Sequence, residues 1–214
     1  ANDKRNTLFN AMFRLAKRVN PKALIIENVP GLLNMYGGKA RDEILQLCED
    51  YGYSCNPQIL FAPDYGVPQI RKRVFFVALR KEFGIFEFPE KQFNPQTYIG
   101  CKDAIDDLPN LEYDMGSEKL DYDKNPSSEY QKQMRNGNDI IHNHIGTKHT
   151  DHVINVISQV PEGGNHKDLP PGVGDSRKFN EAWTRYHSER PSKTIDTGHR
   201  NHFHYKWNRV PTVR

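Results

Sequence analysis

The sequence predicts an α/β protein in which part of a doubly wound, Rossmann-like sheet precedes a loop-rich, mainly β module. Up to about residue 80, helical and strand-like apolar patterns alternate along the chain. Beyond residue 82 the sequence is rich in Pro, Gly, Asn, Asp and His and has only short apolar pieces. Regular patterning returns in residues 183–195, which favours an ordered module over a disordered insertion. We therefore predict two domains, residues 1–82 and residues 83–214.

The elements of the first domain follow from spacing and from turn residues. Asn6 is suited to cap a helix that runs to about Val19, and the apolar spacing predicts a buried stripe of Leu8, Met12, Leu15 and Val19. A second helix is predicted from about residue 40 to residue 50. Strands are predicted at residues 23–26, 53–61 and 73–79. Because the first strand has no polar alternation, we expect it to lie inside a parallel sheet, covered on both faces.

Composition limits the class of protein. A chain of 214 residues with 36% hydrophobic content can bury one good core and a small second one. Its net charge of +3 permits a nucleic-acid partner without requiring one. Cys48, Cys55 and Cys101 lack zinc or disulfide-framework spacing, which favours a reducing cytoplasm. With no membrane-spanning apolar run and no signal-peptide pattern, the sequence predicts a soluble, intracellular protein with no membrane partner.

A carboxylate and an amide follow the first predicted strand at once, as Glu27 and Asn28. In open α/β sheets, ligands bind at the carboxyl ends of strands, so these side chains fall where chemistry is usually done. Pro30 and Gly31 then turn the chain outward. The alternative is that Glu27 only caps the following turn.

Gln69, Arg71 and Arg73 are spaced two apart before an apolar run. On a strand such residues point to one face, so we predict a row of one amide and two guanidiniums. The row can be a solvated edge that guards against aggregation. It can equally bind the Glu27 carboxylate, a nucleic-acid phosphate or a base carbonyl, all of which suit a guanidinium fork.

Gly163, Gly164, Asn165 and His166 form a second candidate binding segment. Paired glycines let a backbone approach a groove closely, and the next side chains supply donors to base edges or phosphates. A plain surface turn is the alternative.

Nine histidines raise the question of a metal, above all in residues 199–204. Their spacing matches no standard zinc pattern and no cysteine is near, so we predict no metal site. Basic and aromatic residues alternate in residues 200–209, which favours a strand near a nucleic-acid surface.

Four stretches together resemble the C5-cytosine-specific DNA methyltransferases, of the bacterial restriction-modification type. They are Glu27-Asn28-Val29 after an apolar strand, residues 3–9, the Gln-x-Arg-x-Arg run at residues 69–73, and residues 190–195 with 208–214. The resemblance implies a methyltransferase sheet followed by a target-recognition module. It implies transfer of a methyl group from S-adenosylmethionine to a cytosine flipped out of double-stranded DNA, in the bacterial cytoplasm.

The resemblance also implies residue roles. Glu27 would bind the Watson-Crick edge of the flipped cytosine and make its sixth carbon open to a thiolate. Asn28 would hold the loop geometry and Val29 would wall the pocket. Arg73 would reach the cytosine carbonyl oxygen, while Arg71 would bind the pocket or the backbone nearby. Substrate binding would also involve Gln69 and residues 163–166.

Two parts of the family pattern are not in this sequence: the Pro-Cys nucleophile loop and the Gly-rich turn of the S-adenosylmethionine pocket. Cofactor-binding residues therefore stay unassigned, and we expect an internal fragment that is inactive alone. Three alternatives stay open: a transfer-RNA cytosine-5 methyltransferase, a non-catalytic sequence-specific DNA-binding module, and an unrelated α/β enzyme. The sequence does not define an oligomeric state.

Overall fold

A computed structural model describes residues 8–111, 114–173, 182–195 and 201–214. The chain divides into two compact units, the first made of Ala1–Phe61 with Arg71–Gln92 and the second of Ala62–Ile70 with Phe93–Arg214. Both units contain helices and strands, as the predicted α/β class requires. The functional division at residues 1–82 and 83–214 stays a prediction. None of the helices in the described ranges is long and apolar enough to cross a membrane.

The first unit is a three-stranded sheet with two helices. Its elements are α1 (Leu8–Val19), β1 (Ala23–Asn28), a 3-10 segment (Pro30–Gly38), α2 (Lys39–Asp50), β2 (Tyr53–Phe61), β3 (Lys72–Arg80) and a 3-10 turn (Lys81–Phe83). These bounds confirm the predicted strands and the second helix within a residue or two.

The sheet has the order β1-β3-β2, and β3 is antiparallel to both of its neighbours. The expectation of a parallel sheet is wrong for these strands. So is full coverage of β1, because the Ile25 side chain is 66% exposed. An apolar run reports that a segment is strand-like, but it carries no information on the direction of the neighbouring strand.

The core of the first unit lies between one face of the sheet and the two helices. Phe13 and Ala16 of α1 are buried there, whereas Leu15 and Val19 are 59% and 66% exposed. The predicted stripe was therefore wrong in its second half. Spacings of three and four fit both sets, and the Phe13 ring, 5.4 Å from the Tyr51 ring, decides between them. Asn6, the predicted cap, lies outside the described residues.

The second unit is loop-rich, as predicted. Its elements are a 3-10 turn (Ala62–Tyr65), α3 (Cys101–Ile105), β4 (Gly116–Asp121), α4 (Glu129–Arg135), β5 (Ile140–Ile145), α5 (Asp151–Gln159), a 3-10 turn (His166–Asp168), β6 (Thr184–Arg185) and β7 (His202–Phe203). Strands β4 and β5 pair antiparallel, and β6 and β7 pair parallel over two residues each. The Thr150 hydroxyl caps helix α5 by accepting from the Val153 amide at 3.4 Å.

A buried arginine, Arg185, holds the second unit together. Its five N–H donors all have acceptors: Nε donates to the Val160 carbonyl at 2.7 Å, Nη1 to the His204 and Trp207 carbonyls, and Nη2 to the Ile157 carbonyl and to Asn208 Oδ1. The contacts join the carboxyl end of α5 to the turn at residues 204–208. A buried guanidinium is tolerated because every donor is satisfied and the helix carboxyl end carries partial negative charge.

Two further buried polar groups lie in this unit. Arg135 on α4 donates from Nε to Asp107 Oδ2 at 2.8 Å, and both side chains are buried. His144 on β5 is fully buried between the Pro109 carbonyl and the Thr212 hydroxyl, each 2.9 Å away. Burial lowers the pKa of His144, so the neutral ring makes these contacts.

Candidate active site

Glu27, Arg71 and Arg73 meet at one end of the sheet of the first unit. Arg73 Nε lies 2.9 Å from Glu27 Oε1, and Arg71 Nη2 lies 3.5 Å from the same oxygen. The side chains are 43%, 37% and 23% exposed for Glu27, Arg71 and Arg73. Pairs this exposed contribute little to stability, about 0–1 kcal/mol, so the fold alone gives small reason for them.

Both guanidiniums contact a single oxygen of the carboxylate. In the described part of the chain, Glu27 Oε2 has no hydrogen-bonded or ionic partner. Arg73 has a second contact, because its Nη1 donates to the Lys72 carbonyl at 2.7 Å. Its Nη2 has no described acceptor. The carboxylate therefore presents one oxygen without a described partner, and both guanidiniums keep N–H groups without a described acceptor.

Asn28 and Val29 shape the chain that leaves β1. Asn28 Oδ1 accepts from the Val29 amide at 2.8 Å, and the Val29 carbonyl accepts from the Leu32 amide at 3.0 Å. Pro30 then begins the 3-10 segment. The Asn28 contact is the loop-holding bond that its predicted role requires. The Val29 side chain is 49% exposed, so its role in walling a pocket stays a prediction.

Of Gln69, Arg71 and Arg73, only Arg73 lies on β3. Strand β3 begins at Lys72, and Gln69 forms an isolated parallel bridge with Ser192 in the second unit. The next residue, Ile70, donates its amide to the Ser192 carbonyl at 2.8 Å. The predicted row of three side chains is therefore wrong, because the backbone before β3 pairs with residue 192 instead of extending the strand.

The segment at residues 163–166 turns back onto its own unit. A side chain at Gly163, where φ is +73°, would meet the His187 ring, and one at Gly164 would meet Pro161 and Asp168 at 2.6 and 2.7 Å. Asn165 Oδ1 caps the 3-10 turn by accepting from the Lys167 amide. The glycines are explained by close packing inside the unit.

His166 is 7% exposed and its Nδ1 lies 3.0 Å from the Ala182 carbonyl, to which it donates. The ring is inside the second unit, which contradicts its predicted role as a donor to DNA. For Gly163, Gly164 and Asn165 the surface-turn interpretation accounts for every described contact.

The stretch near the carboxyl terminus is buried as well. Phe203, Tyr205 and Arg209 are each less than 10% exposed, so the predicted basic and aromatic surface strand is wrong for them. His204 Nδ1 accepts from the Lys206 and Trp207 amides at 3.0 and 3.2 Å. His199 and Arg200 lie outside the described residues.

Metal ligands and cavities can be assessed for the described ranges alone. Within them no three His, Cys, Asp or Glu side chains come together as a metal site requires, and the absence of a metal stays a prediction. The second unit has a cavity of about 340 Å³ that the sequence did not reveal, with Tyr122, Tyr130 and Met134 among its lining residues. A pyrimidine-sized hollow beside Glu27 stays a prediction.

The family of the chain follows from comparison of its whole sequence with known proteins. The model of the family described as C-5 cytosine-specific DNA methylase matches residues 1–214. The chain belongs to that family. Among its relatives, the type II methyltransferase M1.HphI of Haemophilus parahaemolyticus is 34% identical over 218 residues, covering 100% of this chain and 51% of the relative.

A second relative is the type II methyltransferase M.DdeI of Desulfomicrobium norvegicum, 31% identical, covering 99% of this methylase chain and 55% of the relative. The chain thus spans about half the length of the curated relatives it matches. A solved structure assigned to a DNA modification methyltransferase encoded within a prophage of E. coli has a TM-score of 0.72 and 22% identity. It covers 99% of this chain and 62% of the other, and it supports the methyltransferase fold.

Proposed function

We propose that this chain contributes the base-binding carboxylate and its arginines to a type II cytosine-5 DNA methyltransferase. The reaction is methyl transfer from S-adenosylmethionine to the fifth carbon of a cytosine flipped out of a specific site in double-stranded DNA. The observation that carries the proposal is the Glu27 carboxylate at the end of β1, with one oxygen bound by Arg71 and Arg73 and the other without a partner among the described residues. Family membership and the type II relatives support the substrate class.

The chemistry follows from the edge of cytosine. That edge carries an amino donor, a ring nitrogen and a carbonyl oxygen in a row. In this proposal Glu27 would accept from the amino group, and a proton shared between its carboxyl group and the ring nitrogen would make the sixth carbon electron-poor. Arg73 would donate to the carbonyl oxygen, while Arg71 would hold the carboxylate. The thiolate that attacks the sixth carbon would come from the family's cysteine nucleophile, which does not lie among residues 1–214.

The residues of this chain do not fit the cofactor. Strands β1, β2 and β3 carry one acidic side chain between them, Glu27, which the proposal assigns to the base. No acid therefore remains on these strands to hold a ribose as nucleotide sites do. We assign no residue here to S-adenosylmethionine and derive no step through it.

The test is methyl transfer by the full-length protein that carries this sequence. Labelled S-adenosylmethionine and a duplex DNA library are the substrates, and single-turnover rates are compared for the native protein and Glu27→Gln. Loss of general acid–base assistance predicts a fall of about 10²–10⁴-fold in rate. Glu49→Gln is the matched control, because Glu49 is also exposed and ion-paired. Its partner, Lys81, follows β3 at the end of that strand opposite Glu27.

An unchanged rate in Glu27→Gln would remove the proposed role. The same assay with transfer RNA in place of duplex DNA distinguishes the RNA-directed alternative. Binding of duplex without turnover by the full-length protein would support the non-catalytic module. For residues 1–214 alone we expect no methyl transfer. The bacterial relatives lead us to propose a cytoplasmic enzyme.

A further inference from the structure

The 3-10 segment after β1 contains a turn of unusual backbone conformation. Tyr36, Gly37 and Gly38 have φ values of +53°, +68° and +91° in succession. Glycine adopts such angles freely, but a residue with a Cβ atom pays about 1–2 kcal/mol there. Strain of this kind persists where something beyond the local fold depends on it.

The Tyr36 side chain is more exposed than covered by the unit that carries it. It is 57% exposed, and among the described contacts its ring and its hydroxyl have no partner. A tyrosine that packed against the core would offset its strain by burying apolar area. Tyr36 buries little and is strained, so its fold-internal contribution is unfavourable.

The turn belongs to the same stretch of chain as the candidate active site. It lies nine residues beyond Glu27, and the bond from the Leu32 amide to the Val29 carbonyl forms one turn in the intervening chain. Val29 and Met35 are also exposed, at 49% and 39%. The chain leaving the carboxylate thus presents three solvent-facing apolar or aromatic side chains.

This end of the sheet is also basic. Register places Phe61 of β2 opposite Lys72 of β3 and Asn28 of β1 opposite Val74, so the cations that begin β3 lie at the end of β1 that bears Glu27. Arg71, Lys72 and Arg73 stand there against the one carboxylate. The Lys72 ammonium is exposed and lies 5.3 Å from the Phe61 ring centroid. Sites that bind nucleic acids with unstacked bases combine aromatic rings with nearby cations.

We propose that Tyr36 is a DNA-contacting residue, whose ring stacks on a base face left exposed when the neighbouring cytosine leaves the helix, while Lys72 neutralises a phosphate of the same strand. The inference rests on the proposed function and adds a contact surface to it. Stacking on a base requires an aromatic ring whose face does not pack against its own protein. The exposed Tyr36 side chain, carried by a residue with positive φ, meets that requirement. The strain then serves binding rather than folding.

The test compares duplex binding by the full-length protein that carries this sequence and by its variants. It uses fluorescence anisotropy with a short labelled duplex that contains one mismatched cytosine, across a series of KCl concentrations. Tyr36→Gly should weaken binding about tenfold, since a base stack on an aromatic ring is worth that much or more. The salt slope should not change, because no charge is removed. The melting temperature should not fall, because the strain is relieved. Tyr36→Phe should bind like the native chain.

Two variants supply controls. Lys72→Gln should lower the slope of log affinity against log salt by about one, as loss of a phosphate contact requires. Phe83→Gly removes another exposed aromatic ring, 49% exposed, just beyond the opposite end of β3, and should leave affinity unchanged.

Native affinity in Tyr36→Gly would overturn the inference and leave the proposed function standing. Absence of duplex binding by the native full-length protein at every salt concentration would overturn both the inference and the proposed function. A change in sedimentation coefficient of DNA-free Tyr36→Gly would show that the turn is a self-association surface, and would also overturn the inference.

Discussion

Acidification should weaken the second unit through His204. The ring is 4% exposed, and its Nδ1 must be unprotonated to accept two main-chain N–H bonds. Burial first, and then the nearby charges of Arg209, Arg185 and Lys206, lower the pKa of His204 from 6.5 to about 3. A histidine in the unfolded chain takes up its proton near pH 6.5.

The sign follows from proton uptake. Between pH 6.5 and pH 3 the unfolded state binds the proton and the folded state does not, so stability is complete above pH 6.5 and falls as pH falls. Each pH unit in that window is worth about 1.4 kcal/mol, so at about pH 5 the loss from His204 alone is about 2 kcal/mol. His144, whose pKa is also lowered, adds to this loss.

The chain contains its own reporter for the measurement. Both tryptophans, Trp183 and Trp207, lie in the second unit, and the Trp207 ring centroid is 6.4 Å from that of His204. Urea unfolding followed by tryptophan fluorescence at about pH 7 and about pH 5 gives the two free energies of unfolding. In His204→Asn the amide oxygen can replace Nδ1 as acceptor and does not titrate, so the difference between the two pH values should shrink by about 2 kcal/mol. His142→Asn, an exposed substitution on β5, is the control. An undiminished acid loss in His204→Asn would refute the reasoning.

Three other outcomes are expected. Arg135→Met should lower the free energy of unfolding by about 3–5 kcal/mol because it leaves Asp107 buried and unpaired, and replacing both residues with apolar ones should restore most of the loss in the same urea assay. Iodoacetamide at about pH 8 should label Cys55 before Cys101, as read by peptide mass, because burial raises the pKa of Cys101 to about 12 while a hydrogen bond from a neighbouring thiol lowers the pKa of Cys55. Gly116→Ala should destabilise the second unit by about 3 kcal/mol, because φ there is +73° and the new Cβ would lie 2.1 Å from a main-chain oxygen of β5; a native melting temperature would contradict this.

Local patterns predicted the elements of the first unit well. The bounds of α2, β2 and β3 follow from apolar runs and from the breaks beside them. The Glu27 carboxylate, one of the partners that the sequence left open for Arg71 and Arg73, is the one that both contact. The direction of β3 was not predictable, because strand pairing is set by contacts between distant segments. The buried face of α1 was misassigned for a similar reason, since both candidate stripes satisfy helical spacing.

The second unit shows where sequence patterns are least informative. Residues 62–70 belong to it although strands of the first unit flank them, and this recruitment removed Gln69 from the predicted row. His166 and Arg209 look like surface donors in the sequence, yet both are buried with partners among main-chain carbonyls. The sequence does not reveal which cations and imidazoles are buried. Every residue carries a main-chain carbonyl that can satisfy them, so no particular partner residue marks the site.

Arg185 is a second buried cation that is satisfied mainly by main-chain oxygens. Four of its five acceptors are peptide oxygens, which any amino acid at those positions would supply. Exposed side chains along α5 can therefore be exchanged for others that keep the backbone path without loosening the attachment, whereas His204 and Asn208 cannot, because their side chains are themselves acceptors. A unit fastened through peptide oxygens keeps its shape while the sequence on the surface of this helix changes.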